Sequence, residues 1–270
     1  MRTNRSTDAA TGQVSTSAAE VYERSFVPAL FGQWVEPMLD AVRATMGDDV
    51  LDVGSGTGVV ARAALNRVGT FGSVTAVDPN EGMLAVAKAI SPTLTVRRGT
   101  AEHLPVDDGG MDCVTCQFAM MFFTDRERAV DEMRRVLKPG GRLAVATWAA
   151  VDQSPGYAAM VELLANEIGD WAAEALRAPF CIGAVDQLRD LLRQAFGDVT
   201  VVRRDGRARF ASLDDWMYTE IRGWTLADRI DDEQFARLRE SAATRLARFV
   251  GTDGSVSFEA PALIATATPT

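Results

Sequence analysis

Histidine is nearly missing from this chain: His103 is its one imidazole in 270 residues. That excludes multi-histidine metal centres and leaves a serine–histidine–aspartate relay a single candidate base; no metal site is expected. Cysteine is scarce and odd in number (Cys113, Cys116, Cys181), so no disulfide framework is implied. Positive charge is outweighed, with 28 Lys plus Arg against 37 Asp plus Glu, for a net charge of -9. A general binder of phosphate backbones wants a basic stripe, so nucleic-acid partners are disfavoured. No run approaches the ~18 apolar residues of a membrane span, and no stable membrane association is expected. Residues 1–18 are rich in Ser, Thr and Ala and lack the apolar core of a secretory signal. We read them as a disordered tail and, with reduced cysteines, expect a cytoplasmic protein.

What is present is ordinary globular composition: 47% apolar and 24% charged residues, enough for a sizeable core. From Ala19 to Asp40 the pattern is helical, interrupted by Pro28 and Pro37, with Tyr22, Phe26, Leu30, Trp34 and Met38 on one stripe. Strands are then predicted over Val50–Val53, Ser73–Val77, Leu94–Arg98, Met111–Gln117 and Arg142–Thr147. Helices alternate with them over Val59–Val68, Glu81–Ile90 and Arg126–Leu137. Such alternation means βαβ units and a parallel sheet. Beyond Trp148 it loosens: helical sequence over 155–183, a helix Ala184–Phe196, a strand Val199–Arg204, helices over 212–250 and a final strand Ser257–Thr266. The fold class is therefore α/β, a Rossmann-like, seven-stranded, mostly parallel sheet with helices on both faces, its last strand antiparallel. Residues 19–150 would form the cofactor-binding core, and 151–270 the rest of the same fold with helical cap insertions at about 155–183 and 205–256.

The strongest local signal is Val50-Leu51-Asp52-Val53-Gly54-Ser55-Gly56-Thr57-Gly58. A buried strand runs into alternating glycines and a helix, so the backbone can turn sharply and approach a ligand with no Cβ in the way. A dinucleotide fingerprint would need Gly or Ala where Val59 stands, and no Walker lysine follows. Asp78 ends the second strand, where a carboxylate can accept both hydroxyls of an unphosphorylated ribose.

Val50–Gly58, Asp78 and the turn Leu137-Lys138-Pro139-Gly140-Gly141 together resemble class I S-adenosylmethionine-dependent methyltransferases. Thr100-Ala101-Glu102-His103-Leu104-Pro105 resembles the segment after strand three in the ubiquinone/menaquinone-biosynthesis-like branch. The resemblance covers roughly residues 20–150. It implies that S-adenosyl-L-methionine is the cofactor, with Gly54 and Gly56 under its methionine part and ribose, and Ser55 and Pro79 in the same lining. Asp52 would orient the amino end, Asp78 the ribose, and Met83, Ala101 and Glu102 would border the adenine. Thr100 stands where many relatives carry Asp. Gln117 and Phe118 would face the methionine end, and Tyr22 would close over the carboxylate.

Methyl transfer from a sulfonium is an in-line displacement that needs no metal or covalent nucleophile; the protein has to place the nucleophile ~3–3.5 Å from the methyl carbon. A base is needed only if the acceptor must lose a proton, and Tyr22, His103 and Tyr157 are the candidates. Strand four ends in Cys116-Gln117-Phe118-Ala119, without the Asn/Asp-Pro-Pro-aromatic motif of enzymes that methylate base amines. The expected acceptor is a small molecule, quinone-like, phenolic or a secondary metabolite, methylated on O, N or C. An NAD-dependent oxidoreductase and a non-catalytic cofactor-binding protein are the alternatives. Cys113 and Cys116 are expected on opposite faces of a strand, as buried apolar groups rather than a metal or redox pair. Met120-Met121-Phe122-Phe123 could wall an acceptor pocket or pack the next helix, and Trp216, Tyr218 and Trp224 could line a cavity or the cap's own core. Arg203, Arg204, Arg207 and Arg209 read as a solvated face.

Overall fold

The computed structural model describes residues 16–223, 226, 227 and 229–269. Seven strands form one sheet in the order β3-β2-β1-β4-β5-β9-β6. They are β1 (Asp49–Val53), β2 (Ser73–Asp78), β3 (Thr95–Arg98), β4 (Met111–Gln117), β5 (Leu137–Trp148), β6 (Asp198–Arg204) and β9 (Ala262–Thr268). β1 to β5 pair in parallel, and β9 lies antiparallel between β5 and β6. The central strands are apolar on both faces because helices cover both.

On one face lie α1 (Thr16–Val21), α2 (Val35–Ala41), α3 (Val59–Val68) and α4 (Glu81–Ile90), together with α6 (Pro155–Glu167) and α7 (Asp170–Arg177). Trp34, Met38 and Leu39 anchor that layer. On the other face α5 (Arg126–Val136) and α8 (Val185–Arg193) bury Val130, Met133, Leu188 and Leu192. Helix starts follow side-chain caps: Asn80 accepts the Met83 N–H at 3.0 Å to begin α4, and Asp125 accepts that of Arg128 at 2.9 Å to begin α5. Cys113 and Cys116 belong to the cores on opposite faces of the sheet.

The structure departs from expectation in five places. β5 begins at Leu137, so Leu137–Gly141, read as a turn before a strand at Arg142, is part of that strand, with an irregular register against β4 between Met111 and Cys113. A helix already starts at Thr16, inside the segment read as tail; residues 1–15 lie outside the described residues. The stretch from Ala19 to Asp40 is not one helix: wide, π-type turns run over Tyr22–Phe31 around Pro28, a tight turn covers Gly32–Trp34, and α2 follows. Proline has no N–H to continue an α-helical ladder and its ring crowds the preceding turn. Pro37 falls in the first turn of α2, where that loss is tolerated. The final strand Ser257–Thr266 is two strands, β8 (Val256–Glu259) and β9, parted at Ala260-Pro261. Finally, the insertion at 205–256 is not all helical. β7 (Arg207–Phe210) pairs antiparallel with β8 in a separate sheet, beside α9 (Leu213–Arg222) and α10 (Asp232–Arg245).

Candidate active site

The site sits at the carboxyl ends of β1, β2, β3 and β4, the place where open α/β sheets bind ligands. The glycine loop is pinned to β2: the N–H groups of Gly54 and Ser55 both donate to the Val77 carbonyl, at 2.8 and 3.0 Å. Gly54 has φ +65° and Gly56 φ +54°, a region that L side chains avoid. A Cβ on Gly54 would stand 2.3 Å from the Ala119 Cβ, so strand and neighbouring loop approach as closely as glycine permits. Asp78 reaches back across the loop; one carboxylate oxygen accepts the Gly56 N–H at 2.9 Å and the other that of Asn80 at 2.8 Å. Beyond these groups opens a cavity of about 590 Å³, within the usual size of small-molecule sites.

Two carboxylates are buried here without an ion pair among the described residues. Burial pushes the Asp78 carboxyl up, opposed by the N–H groups of Asn80 and Gly56. Asp52, beneath the loop, accepts a hydrogen bond from the Thr115 hydroxyl at 2.8 Å. Burial raises its pKa to about 7, with the Thr115 and Ala61 hydrogen bonds acting against that. Buried polar atoms without a partner cluster nearby: Ser55 Oγ, Thr57 Oγ1 and Gln117 Oε1. Such groups are costly unless a ligand satisfies them. The Tyr22 segment is tied to the loop by Glu23, whose carboxylate takes an ion pair from Arg62 at 2.6 Å; the same guanidinium also donates to the Thr57 carbonyl.

The loop after β3 is held from below. Glu132 on α5 accepts the Leu104 N–H at 2.9 Å and a two-pronged pair from Arg135 at 2.6 and 2.7 Å. Arg135 in turn donates to the carbonyls of Leu104 and Val106. Glu102 accepts the N–H groups of Thr124 and Asp125 at 3.0 and 3.2 Å, which ties its loop to the loop after β4.

A second cavity of about 70 Å³ adjoins the first, and Tyr22, Phe118 and Phe122 line both. Phe118 has φ +53°, strained for a residue with a side chain, and its ring stacks on Trp148 at 3.9 Å between centroids. Deeper in the chamber Tyr157 donates its hydroxyl hydrogen to Glu220 at 2.6 Å. Both groups are buried; burial raises Glu220 to about 7 and pushes the Tyr157 phenol well up.

Of the residues expected at a cofactor site, Tyr22, Gly54, Gly56, Asp78, Pro79, Met83, Thr100, Ala101, Glu102, Gln117 and Phe118 line the larger cavity. Asp52 and Ser55 do not line it and lie buried under the loop. Of the candidate bases, His103 is exposed and lines neither cavity, while Tyr157 lines the smaller one. Tyr22 and Tyr157 are both held as neutral phenols by burial, which argues against either as a base near neutral pH. Met121, Phe122 and Phe123 do face the cavities, whereas Met120 is core. Trp216 packs in the cap's own core against Phe258, Tyr218 is exposed, and Trp224 lies outside the described residues. Arg203, Arg204, Arg207 and Arg209 are all exposed.

Residues missed from sequence include Asn80, Arg98 and Thr124 in the larger cavity and Phe31, Trp148, Phe180 and Glu220 in the smaller one. Asn80 carried a signal, an Asx cap next to Asp78. The aromatics carried none, since they come from distant parts of the chain.

Residues 51–145 match the family model described as a methyltransferase domain. The chain is 41% identical over 113 residues to the ubiquinone/menaquinone biosynthesis C-methyltransferase UbiE of Pseudomonas fluorescens, covering 40% of this chain and 43% of that one. It thus spans less than half the length of the curated relatives it matches. Among solved structures it resembles YcgJ of Bacillus subtilis, with a TM-score of 0.59, 22% identity and coverage of 88% of this chain and 99% of that one. It also resembles phosphoethanolamine N-methyltransferase 2 of Haemonchus contortus in complex with S-adenosyl-L-methionine, with a TM-score of 0.60, 17% identity and coverage of 95% and 58%. At such identities these two likenesses speak for the fold.

Proposed function

We propose that this chain, whose residues 51–145 belong to a class I S-adenosylmethionine-dependent methyltransferase domain, transfers a methyl group to a small molecule seated in the aromatic chamber. One observation carries the reading: the cavity over the glycine loop adjoins that chamber, and Tyr22, Phe118 and Phe122 line both. Two ligands can therefore meet at those rings.

The residues suit the cofactor. Asp78 is a buried carboxylate with no ion pair among the described residues, suited to accept the ribose hydroxyls. Gln117 Oε1, on the cavity wall, is buried and unpaired near the expected amino-acid end. The glycines leave room at the loop, and Met83 and Ala101 offer apolar surface for a flat base. When bound, S-adenosylmethionine supplies an activated methyl group on a sulfonium.

The chain's own work is then positional. The Arg62–Glu23 ion pair holds Tyr22 over the loop, and stacking on Trp148 fixes Phe118 at the side of both cavities. The net charge of -9 argues against nucleic-acid acceptors. The Pseudomonas relative is named as a C-methyltransferase of quinone biosynthesis, and the nucleophile here can be O, N or C. Calorimetry tests the cofactor: S-adenosylhomocysteine should bind and NAD should not. Tight NAD binding without homocysteine-product binding would overturn the reading, and product formation with a panel of phenols, amines and carbon acids tests turnover.

A further inference from the structure

Among the described residues the acceptor chamber holds a single carboxyl group. Glu220 reaches it from α9, in the cap, and Tyr157 on α6 is its one hydrogen-bond partner among the described residues. Among the described residues no lysine, arginine or histidine lines the chamber. Arg222, on the same helix, turns away to the Ile230 carbonyl and to Asp232. The remaining wall is largely rings: Phe31, Phe118, Trp148 and Phe180 form a connected series, with centroids 5.6, 3.9 and 6.5 Å apart from one to the next. Tyr157 meets Phe180 at 5.3 Å and so brings the carboxylate to the end of that series.

This chemistry selects among acceptors. A phenolate or carboxylate would face Glu220 with nothing in the chamber to neutralise it, which is costly away from water. A quinone-like acceptor wants donors, and the Tyr157 hydroxyl hydrogen is already given to Glu220. An ammonium group fits both features, since ring faces attract cations and a buried carboxylate lacks one. Resting on the methyl-transfer reading, we infer that the Tyr157–Glu220 pair is the recognition site for a cationic amine and that the acceptor atom is nitrogen. Glu220 pairs with the ammonium, and Tyr157, a positioning residue, holds the carboxylate toward the chamber. Before methylation the ammonium proton passes to Glu220, which becomes neutral and leaves the nitrogen its lone pair.

The titratable groups facing the chamber are Tyr22, Tyr157 and Glu220. Both phenols stay neutral, so Glu220 alone changes charge near neutral pH. Pairing with a cation fixes it as the carboxylate and expels the proton it partly carries near neutral pH.

The test is calorimetry on the full chain saturated with S-adenosylhomocysteine. Phenethylamine is set against phenethyl alcohol, and choline against its neutral carbon isostere. At least one cation should bind about tenfold more tightly than its neutral partner, releasing protons to the buffer. Glu220→Gln should erase that preference while leaving S-adenosylhomocysteine affinity unchanged, whereas Tyr157→Phe should weaken it and preserve its sign. Equal binding of both pairs, or a preference that survives Glu220→Gln, overturns the inference. Should Glu220→Gln also lose S-adenosylhomocysteine binding, the wild-type pH profile decides. Amine affinity must fall as pH drops through the titration of Glu220, because the amine itself stays charged, and a flat profile overturns the inference. If wild type fails to bind S-adenosylhomocysteine, the methyl-transfer reading falls; the cation preference, measured without it, is judged by the same comparison.

Discussion

Gly54→Ala puts the close approach of β1 and the loop after β4 to a quantitative test. Two costs act together. An alanine held at φ +65° pays about 1–2 kcal/mol of left-handed strain. Its Cβ would stand 2.3 Å from the Ala119 Cβ, an atom fixed to backbone that no rotamer change can move. Such overpacking costs about 1–3 kcal/mol. Restricting the unfolded chain returns about 0.4–1 kcal/mol, so the expected net loss is about 1–5 kcal/mol. Urea denaturation should show a lower midpoint at an unchanged slope. The steric share can be isolated, because Ala119→Gly removes the opposing atom. In the double variant Gly54→Ala/Ala119→Gly about 1–3 kcal/mol should return relative to the sum of the single changes, leaving only the strain. Simple additivity of the two substitutions would refute the contact, and a single-variant loss below about 1 kcal/mol would refute the conformational argument as well.

Asp78→Ala should lower S-adenosylhomocysteine affinity by several-fold to about a hundredfold, or about 1–3 kcal/mol for a charged hydrogen bond; unchanged calorimetric affinity would remove Asp78 from the site. The pH dependence of the ligand-free protein has a definite sign. Asp52 and Glu220 rise from ordinary carboxylate values to about 7 on folding, so the folded chain binds more protons than the unfolded chain in that window. Stability should therefore fall as pH rises from about 4 to about 7, and Asp52→Asn should make that slope shallower; equal slopes in thermal melts would contradict the assignment. Glu132→Ala takes the buried acceptor from Arg135 and from the Leu104 N–H, while Arg135 keeps Asp108, and should cost about 1–3 kcal/mol. Amide exchange should accelerate across residues 99–106, and an unchanged rate there would show that the clamp does not hold the loop.

Much of the frame was legible before any coordinates. Five parallel strands and their helices announce themselves through apolar runs closed by Gly, Pro, Asn and Asp, because such a sheet is covered on both faces and its punctuation is strong. The cofactor side of the site shares that clarity, since the glycine loop, Asp78 and the segment at 100–105 each lie at the end of a strand. Beyond Trp148 the signals weaken. Pro261 sits inside the stretch read as one strand, and its missing N–H was visible, yet apolar residues on either side masked the break between β8 and β9. The chamber was the least legible part. Phe31, Phe118, Trp148 and Phe180 belong to four separate elements, and no local period marks rings that meet only after folding. Glu220 looks in sequence like any polar helix residue between Thr219 and Ile221, and only tertiary packing makes it a buried charge.

The place of β9 has a kinetic consequence. This strand is the last of the seven in chain order, yet it lies inside the sheet and pairs with both β5 and β6. While the chain emerges, β1 to β5 can zip together, but the outer edge of β5 stays unpaired until residues 262–268 arrive. β6 has no neighbour in the sheet until the same moment. Pairings at such long separation are slow to close, and open apolar edges invite other chains. During synthesis the half-built sheet is therefore an aggregation hazard, and loss of this one strand would detach β6 as well as open β5.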